Sequence, residues 1–487
     1  MRALVPITAA IACILCLAPA SADIQNGGFE SGDFTGWTAD DNWVVVDNPC
    51  VYYSGWTGKW WAWSGGKGEP PMGVLKSSVF VLDKDAVSLQ ISGWSSIHGT
   101  GQPRRWNYVT LNLEDGTELD RVYAPDTTAF VPAWLDGSKH KGERVYVQAV
   151  DDADQPTYSM LCIDDVRTAD LPADYAEPVG ELPRFDPRSS IRLEDESCLI
   201  EVSRANGSIT RIYDRKAGLE LILEPRLAES YRFALPIPGK EPWQTLEANW
   251  IRGRDQTLSS FRLEGGKLTL RWDGPLRNYL GEEFDASAKM TIELMEGGAL
   301  FSFTVRNRTR CPVGEVYFPV LGGIQGLGRT RAQLEATEMI RPAGPSRAGN
   351  EAPSDECSSA AIFRVFNNMS PFGDQGPEQF YAYPEAQPEP WVGFAASKLG
   401  RSVMLCARDP GDRPLWIRLE LIPASSGTVR DDGNWPRPEE LGDLPVGVEL
   451  SFVDEANRPA GETYHAAPVL LQFLDGGGKE MREAYGE

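Results

Sequence analysis

The chain has few of the groups that most enzymes use. It carries three histidines in 487 residues, His98, His140 and His465, so a histidine-based proton relay or His-rich metal centre has little material. Its cysteines are scattered and include no CxxC pair, which argues against zinc ribbons and thioredoxin-like chemistry. There is no GxSxG, HExxH or P-loop. The Gly-rich "GGIQGLGR" has no helix pattern after it, so it does not read as a phosphate cradle. Positive charge is also short: 47 Lys and Arg against 70 Asp and Glu give −23, with pI near 4.7. Nucleic acid and anionic membranes, which need basic patches, are therefore poor partners.

Long apolar runs are missing except at the start. Met1-Arg2, the apolar stretch Ile7 to Leu17 and the small-residue site Ala20-Ser21-Ala22 read as a secretory signal over residues 1–22. No later run reaches 18 apolar residues, so no membrane span is expected, and the expected location is secreted or periplasmic. Outside the signal lie Cys50, Cys162, Cys198, Cys311, Cys357 and Cys406, an even number that permits disulfides or buried thiols. Oligomeric state leaves no signature.

Helical periodicity is nearly absent, and period-2 runs take its place. "GVLKSSVFVL", "VSLQISGW", "YVTLNLEDG" and "RVYVQAVDD" alternate apolar and polar residues between Gly, Asp and Pro turns. A second series starts near Ile191 with "IRLEDESCLIEVSR" and runs through "ALFSFTVRNRT" and "LWIRLELIP". Between them the proline- and acid-rich Thr168–Ser190 reads as a linker. The expected fold is all-β: a jelly roll over 24–168, a linker over 169–190, a larger antiparallel sandwich over 191–470, and a short helical tail over 471–487.

Two stretches of the first unit hold its chemistry. "NGGFESGDFTGW" combines tight turns, Glu30 and spaced aromatics, and "IDDV" closes the unit with an acidic pair. Together these resemble a galactose-binding-like carbohydrate-binding module. The resemblance implies a polysaccharide ligand and a structural Ca2+ held by Gly28, Glu30 and Asp165, since calcium takes six to eight oxygen ligands. The bland reading is that the two acids cap turns. Sugar rings stack on aromatic faces, and the aromatic run Tyr52–Gly66 and the loop His98–Tyr108 offer Trp56, Trp61, Arg104 and Trp106 as site residues. Most of these tryptophans could equally fill a core.

The second unit opens with strand, N-G turn, strand and D-R-K-A-G turn over Ile191–Glu224. This resembles the galactose-mutarotase-like super-sandwich that accompanies glycoside hydrolases and polysaccharide lyases. The implied role is an accessory part of a polysaccharide-degrading system. A hydrolase or lyase with its site in this sandwich, or a surface adhesion protein, are the alternatives. Glu282, Glu283, Asp431, Asp432, Tyr279, Tyr381 and Trp435 are the residues that could serve a catalytic reading, and no motif selects among them.

Overall fold

The computed structural model describes residues 23–486 except 48–52, 98–101, 176–184, 237–248, 343–356, 362–377 and 423–444, and a few shorter gaps between elements. The chain is all-β, and every described strand pairing is antiparallel. Four large sheets form two sandwiches, and no described sheet takes strands from both sides of the proline-rich segment.

The first sandwich pairs a six-stranded with a five-stranded sheet. Trp37–Ala39, Gly73–Ser77, Arg144–Asp151, Asn107–Leu113 and Glu118–Tyr123 follow one another across the first, with Phe80–Val81 attached to Arg144–Asp151. Thr127–Asp136, Ala86–Gly93, Leu161–Ala169, Trp61–Trp63 and Val44–Val46 form the second. Strand alternation turns Leu75, Val109, Leu111, Val147, Leu89, Ile91, Leu161 and Ile163 into the shared core.

The second sandwich stacks two ten-stranded sheets over one continuous core that includes Ile200, Ile212, Phe233, Trp272, Phe303, Phe318, Phe394 and Leu450. Strands 316–328, 447–454, 415–422 and 378–383 neighbour one another in one sheet, and 232–235 and 249–252 form a hairpin on its 316–328 strand. A five-residue helix, Arg331–Glu335, starts at a capping box of Thr330 and Gln333 that the β pattern around it concealed. The C-terminal helix runs Gly478–Gly486 and buries Met481 against Gly393, where a Cβ would meet the thioether sulfur at 2.4 Å.

Cys162, Cys198, Cys311 and Cys406 are free thiols, so of the two options open in the sequence these four take the unbridged one. Cys50 and the side chain of Cys357 lie outside the described residues.

Within the segment read as a linker, Tyr175 is buried, its carbonyl accepts from Ala332 N at 3.0 Å, and its ring lies 6.0 Å from Trp134. The Arg331 guanidinium sits 5.1 Å from the same Trp134 ring, and Lys398 Nζ meets Asp120 Oδ1 at 2.5 Å. These contacts tie the two sandwiches together.

One ion pair bridges the two large sheets. Asp214, fully buried, accepts from Lys216 N and Ala217 N in its D-R-K-A-G turn and receives Arg401 Nε at 2.5 Å from the opposite sheet. Arg401→Met would strand a buried carboxylate and should cost on the order of 3–5 kcal/mol in urea unfolding. Adding Asp214→Asn should recover part of that loss; an additive double variant would show the pair to be uncoupled.

Candidate functional site

The opening turn is a packed corner. Asn26 and Phe29 adopt left-handed φ values of 52° and 55°, and Phe29 is fully buried with its ring 5.3 Å from Trp37 and 6.1 Å from Phe34. Trp37 Nε1 donates to Gln25 O at 3.0 Å. The spaced aromatics of this stretch are thus the anchors of the turn, and Phe29 and Trp37 belong to the core. Gly27 is required by close approach: Val166 N donates to Gly27 O at 2.9 Å, and a Cβ on Gly27 would sit 1.8 Å from Val166 O.

At that contact the closing strand bulges between Asp164 and Arg167, with Asp165 at φ 47°. The bulge takes Asp165 out of the alternation and divides the acidic pair. Asp164 turns in. Its Oδ2 accepts from Thr57 N at 2.7 Å, while Oδ1 is buried without a hydrogen-bond partner. The Cβ position of Gly28 lies 4.0 Å from that oxygen and 3.8 Å from Glu30 Cγ. Glu30 Oε1 accepts from Lys59 N at 2.8 Å and Trp60 N at 3.0 Å. Asp165 instead places Oδ2 3.3 Å from Arg167. Gly28 and Glu30 therefore converge on Asp164, a residue that the "IDDV" signal flagged only as half of a pair.

Burial, helped by the charges of Asp165 and Glu30, pushes the Asp164 carboxyl up to about 7. Among the described residues no group of three or more His, Cys, Asp or Glu gathers as a metal cluster. The oxygen donors at this corner are two carboxylates and the carbonyls of the turn, and the orphaned Oδ1 is an atom that a hard cation would satisfy.

The outer face of the five-stranded sheet is aromatic. Trp61 packs 4.9 Å from Tyr53, 5.3 Å from Phe130 and 6.4 Å from Trp63, with Trp94, Met160 and Cys162 completing the cluster and Trp56 and Trp63 on its half-buried margin. Trp61 is fully buried, which corrects its expected place in a sugar site: its ring has no open face. Trp56 keeps an accessible part. Trp106 is half-buried at the edge of the other sheet, where its carbonyl accepts from Asp152 N at 3.1 Å. Arg104 lies outside the described residues.

Polar groups without partners border this face. The indole N–H groups of Trp61 and Trp63 are buried and unpaired, as is Asp151 Oδ2. Asp151 is pushed up to about 7, chiefly by burial, with Asp152 and Glu69 adding to the effect and a Ser64 hydrogen bond opposing it. Ser64 follows Trp63 in the chain, and its hydroxyl accepts from Leu161 N at 2.9 Å. Asp151 was legible only as the end of the "RVYVQAVDD" strand; nothing local to it signals an unpaired buried acid.

Of the residues considered for catalysis in the large sandwich, Glu282, Glu283 and Tyr381 are engaged locally, Tyr279 is exposed, and the others lie outside the described residues. Glu283 meets Arg277 at 2.8 Å, Glu282 accepts from Asn278 Nδ2 at 2.9 Å, and Tyr381 packs under Arg341 at 4.2 Å. Asp431, Asp432 and Trp435 are among those not described. A buried charge network occupies the outward face of the sheet instead. Arg232 Nη2 donates to Glu229 at 3.0 Å and to Glu449 at 2.9 Å, and Arg418 Nη1 donates to Glu449 at 2.9 Å. Burial raises Glu229; at Glu449 burial is outweighed by Arg232 and Arg418, which hold it below the usual range.

No helix among the described residues is long and apolar enough to cross a membrane. No protein-family profile matches the chain, and no curated protein matches it in sequence. Among solved structures, a galactose mutarotase related enzyme from Lactobacillus acidophilus is similar at TM-score 0.36 and 10% identity, over 58% of this chain and 97% of that one. A galactose mutarotase-like protein from Lactobacillus casei gives 0.33 and 9%, over 58% and 100%. The Stig cyclase Fisc from Fischerella sp. TAU gives 0.22 and 20%, over 31% and 96%.

The raised carboxyls of the first sandwich, Asp151 and Asp164, make a signed prediction. Asp151 and Asp164 hold protons in the folded state that the unfolded chain releases near its ordinary 3.8. With chelator present, their contribution to stability should fall as pH rises from about 4 to about 7 and then level off. Asp164→Asn should flatten part of that fall in thermal unfolding; an unchanged slope would mean that the carboxyl is not protonated in the fold.

Proposed function

We propose that the chain is an exported carbohydrate-binding protein, an accessory of polysaccharide degradation, with its glycan held on the aromatic outer face of the five-stranded sheet. The observation that carries this reading is the combination on that face of packed aromatic rings with a half-buried tryptophan, Trp63, whose indole Nε1 has no hydrogen-bond partner. Sugars present apolar ring faces and dense hydroxyls, and such a surface answers both. Trp56 and Trp63 serve as the stacking rings, and Trp61 is the packed layer beneath them.

In the same reading a calcium ion takes Glu30, Asp164 and carbonyls of the Gly28 turn. Asp165 orders the bulge through Arg167 and is not a ligand. When bound, the ion would supply charge compensation for the paired carboxylates and fasten the first turn to the last strand.

Native gels cast with a panel of neutral and acidic polysaccharides test the reading directly. Retardation in at least one gel is expected, and none in any gel would refute glycan binding. Trp63→Ala should weaken retention roughly tenfold, the scale of a lost aromatic contact, with a small change in melting temperature. Trp61→Ala should instead destabilise by about 3–5 kcal/mol as a core truncation. Calcium should raise the melting temperature of the wild type and leave Asp164→Asn unmoved; equal shifts in both would refute the calcium assignment.

A further inference from the structure

The hairpin 232–235/249–252 places two arginines directly opposite each other, Arg232 and Arg252. Like charges across a strand pair repel, so each needs an acid or an anion. Arg232 has Glu229 and Glu449. Its neighbours on this face are also answered: Arg254 Nε lies 3.6 Å from Glu229, and Arg418 pairs with Glu449 and Glu420. Arg252 pairs with no carboxylate among the described residues, and its Nε is buried without a hydrogen-bond partner.

The charged groups that face Arg252 are Arg232 and Arg254, against Glu229 and Asp255. Burial first, and Arg232 next, push its guanidinium below the ordinary arginine value. A half-buried guanidinium beside two other arginines, with no carboxylate paired to it among the described residues, is a receptor for an external oxyanion. Two residues earlier on the same strand face stands Trp250, half-buried, its ring edge-on to Tyr317 at 5.5 Å. The spacing of two strand residues, about 7 Å, is comparable to a pyranose ring.

We propose that Trp250 and Arg252 form a binding site for an acidic saccharide, the sugar ring packing on Trp250 and its carboxylate or sulfate meeting Arg252. The site is separate from the aromatic face of the first sandwich and does not depend on that reading. The strand places the apolar platform and the cation on one line, and no carboxylate among the described residues forms an ion pair with the cation.

Calorimetric titration of the full chain with tri-galacturonate, a glucuronate oligomer, inorganic sulfate and a neutral galactose oligomer, at matched ionic strength, tests it. At least one uronate should bind and the neutral oligomer should not bind at this site. Arg252→Met should weaken uronate binding on the order of tenfold or more, the loss of a charge-assisted hydrogen bond. Trp250→Ala should weaken uronate binding and spare sulfate, and Trp63→Ala should leave the uronate isotherm unchanged. Because Arg252 has no internal carboxylate partner, Arg252→Met should leave the melting temperature unchanged or raise it. Arg232→Met, which strands Glu229 and Glu449, should lower it. Binding of neither uronate nor sulfate, unaltered binding in Arg252→Met, or destabilisation of Arg252→Met to the level of Arg232→Met would each overturn the proposal. Sulfate binding without uronate binding would overturn the saccharide assignment.

Discussion

Alternation of side chains across a β-strand is the constraint on which everything else in this molecule depends. In the strand 447–454, Val448, Leu450 and Phe452 enter the core, so Glu449 and Ser451 must leave it on the other side. The adjacent strand 415–422 repeats the division, with Leu415, Ile417 and Leu419 inside and Trp416 and Arg418 outside. The same rule separates Ala62 from Trp61 and Trp63. Each of these outward groups stands where it does because its chain neighbour went into a core.

Burial then decides how such outward groups must be answered. The outward face of the large sheet is itself covered, since Glu229, Arg232, Arg418 and Glu449 are all buried. Charges withdrawn from water are costly unless paired, and the network Glu229–Arg232–Glu449–Arg418 meets that demand. A second ladder does the same at the other end of the sheet, where Arg192, Glu201, Arg211 and Glu220 alternate across four strands. Against this background a number of buried polar atoms remain unmatched, among them Asp164 Oδ1, Asp151 Oδ2, the indole N–H groups of Trp43, Trp61 and Trp63, Glu220 Oε2, the Tyr231 hydroxyl and Arg252 Nε. Buried polar atoms are nearly always satisfied, so such orphans are the places where an ordered water, an ion or a ligand would complete the structure.

Much of the fold was legible in the sequence because its cause is local. Period-2 hydrophobicity and Gly and Pro turns specify strands, and the break in alternation after Ala169 marks where one set of sheets ends. The helix Arg331–Glu335 escaped because one capping box inside a β-rich stretch is a weak signal. The site was only half legible. "NGGFE" and "IDDV" pointed to one corner, yet which aspartate faces it depends on a bulge, and a bulge is a property of two paired strands. Trp61 and Trp63 were placed together by spacing, but nothing in that spacing tells which ring is covered.

By itself, then, the sequence determined the strands, the turns, the acidic surface and the identity of the residues that could bind a glycan or a cation, since these depend on side-chain type and period. Only the tertiary structure decided that Trp61 is core, that Asp164 lies beside Gly28 while Asp165 pairs with Arg167, that four cysteines stay free, and that Arg252 stands opposite Arg232 with no ion-paired carboxylate among the described residues. Burial and pairing across sheets are relations between residues far apart in the chain: Arg232 and Glu449 are 217 residues apart, and Asp214 and Arg401 are 187. No local pattern encodes such a partner.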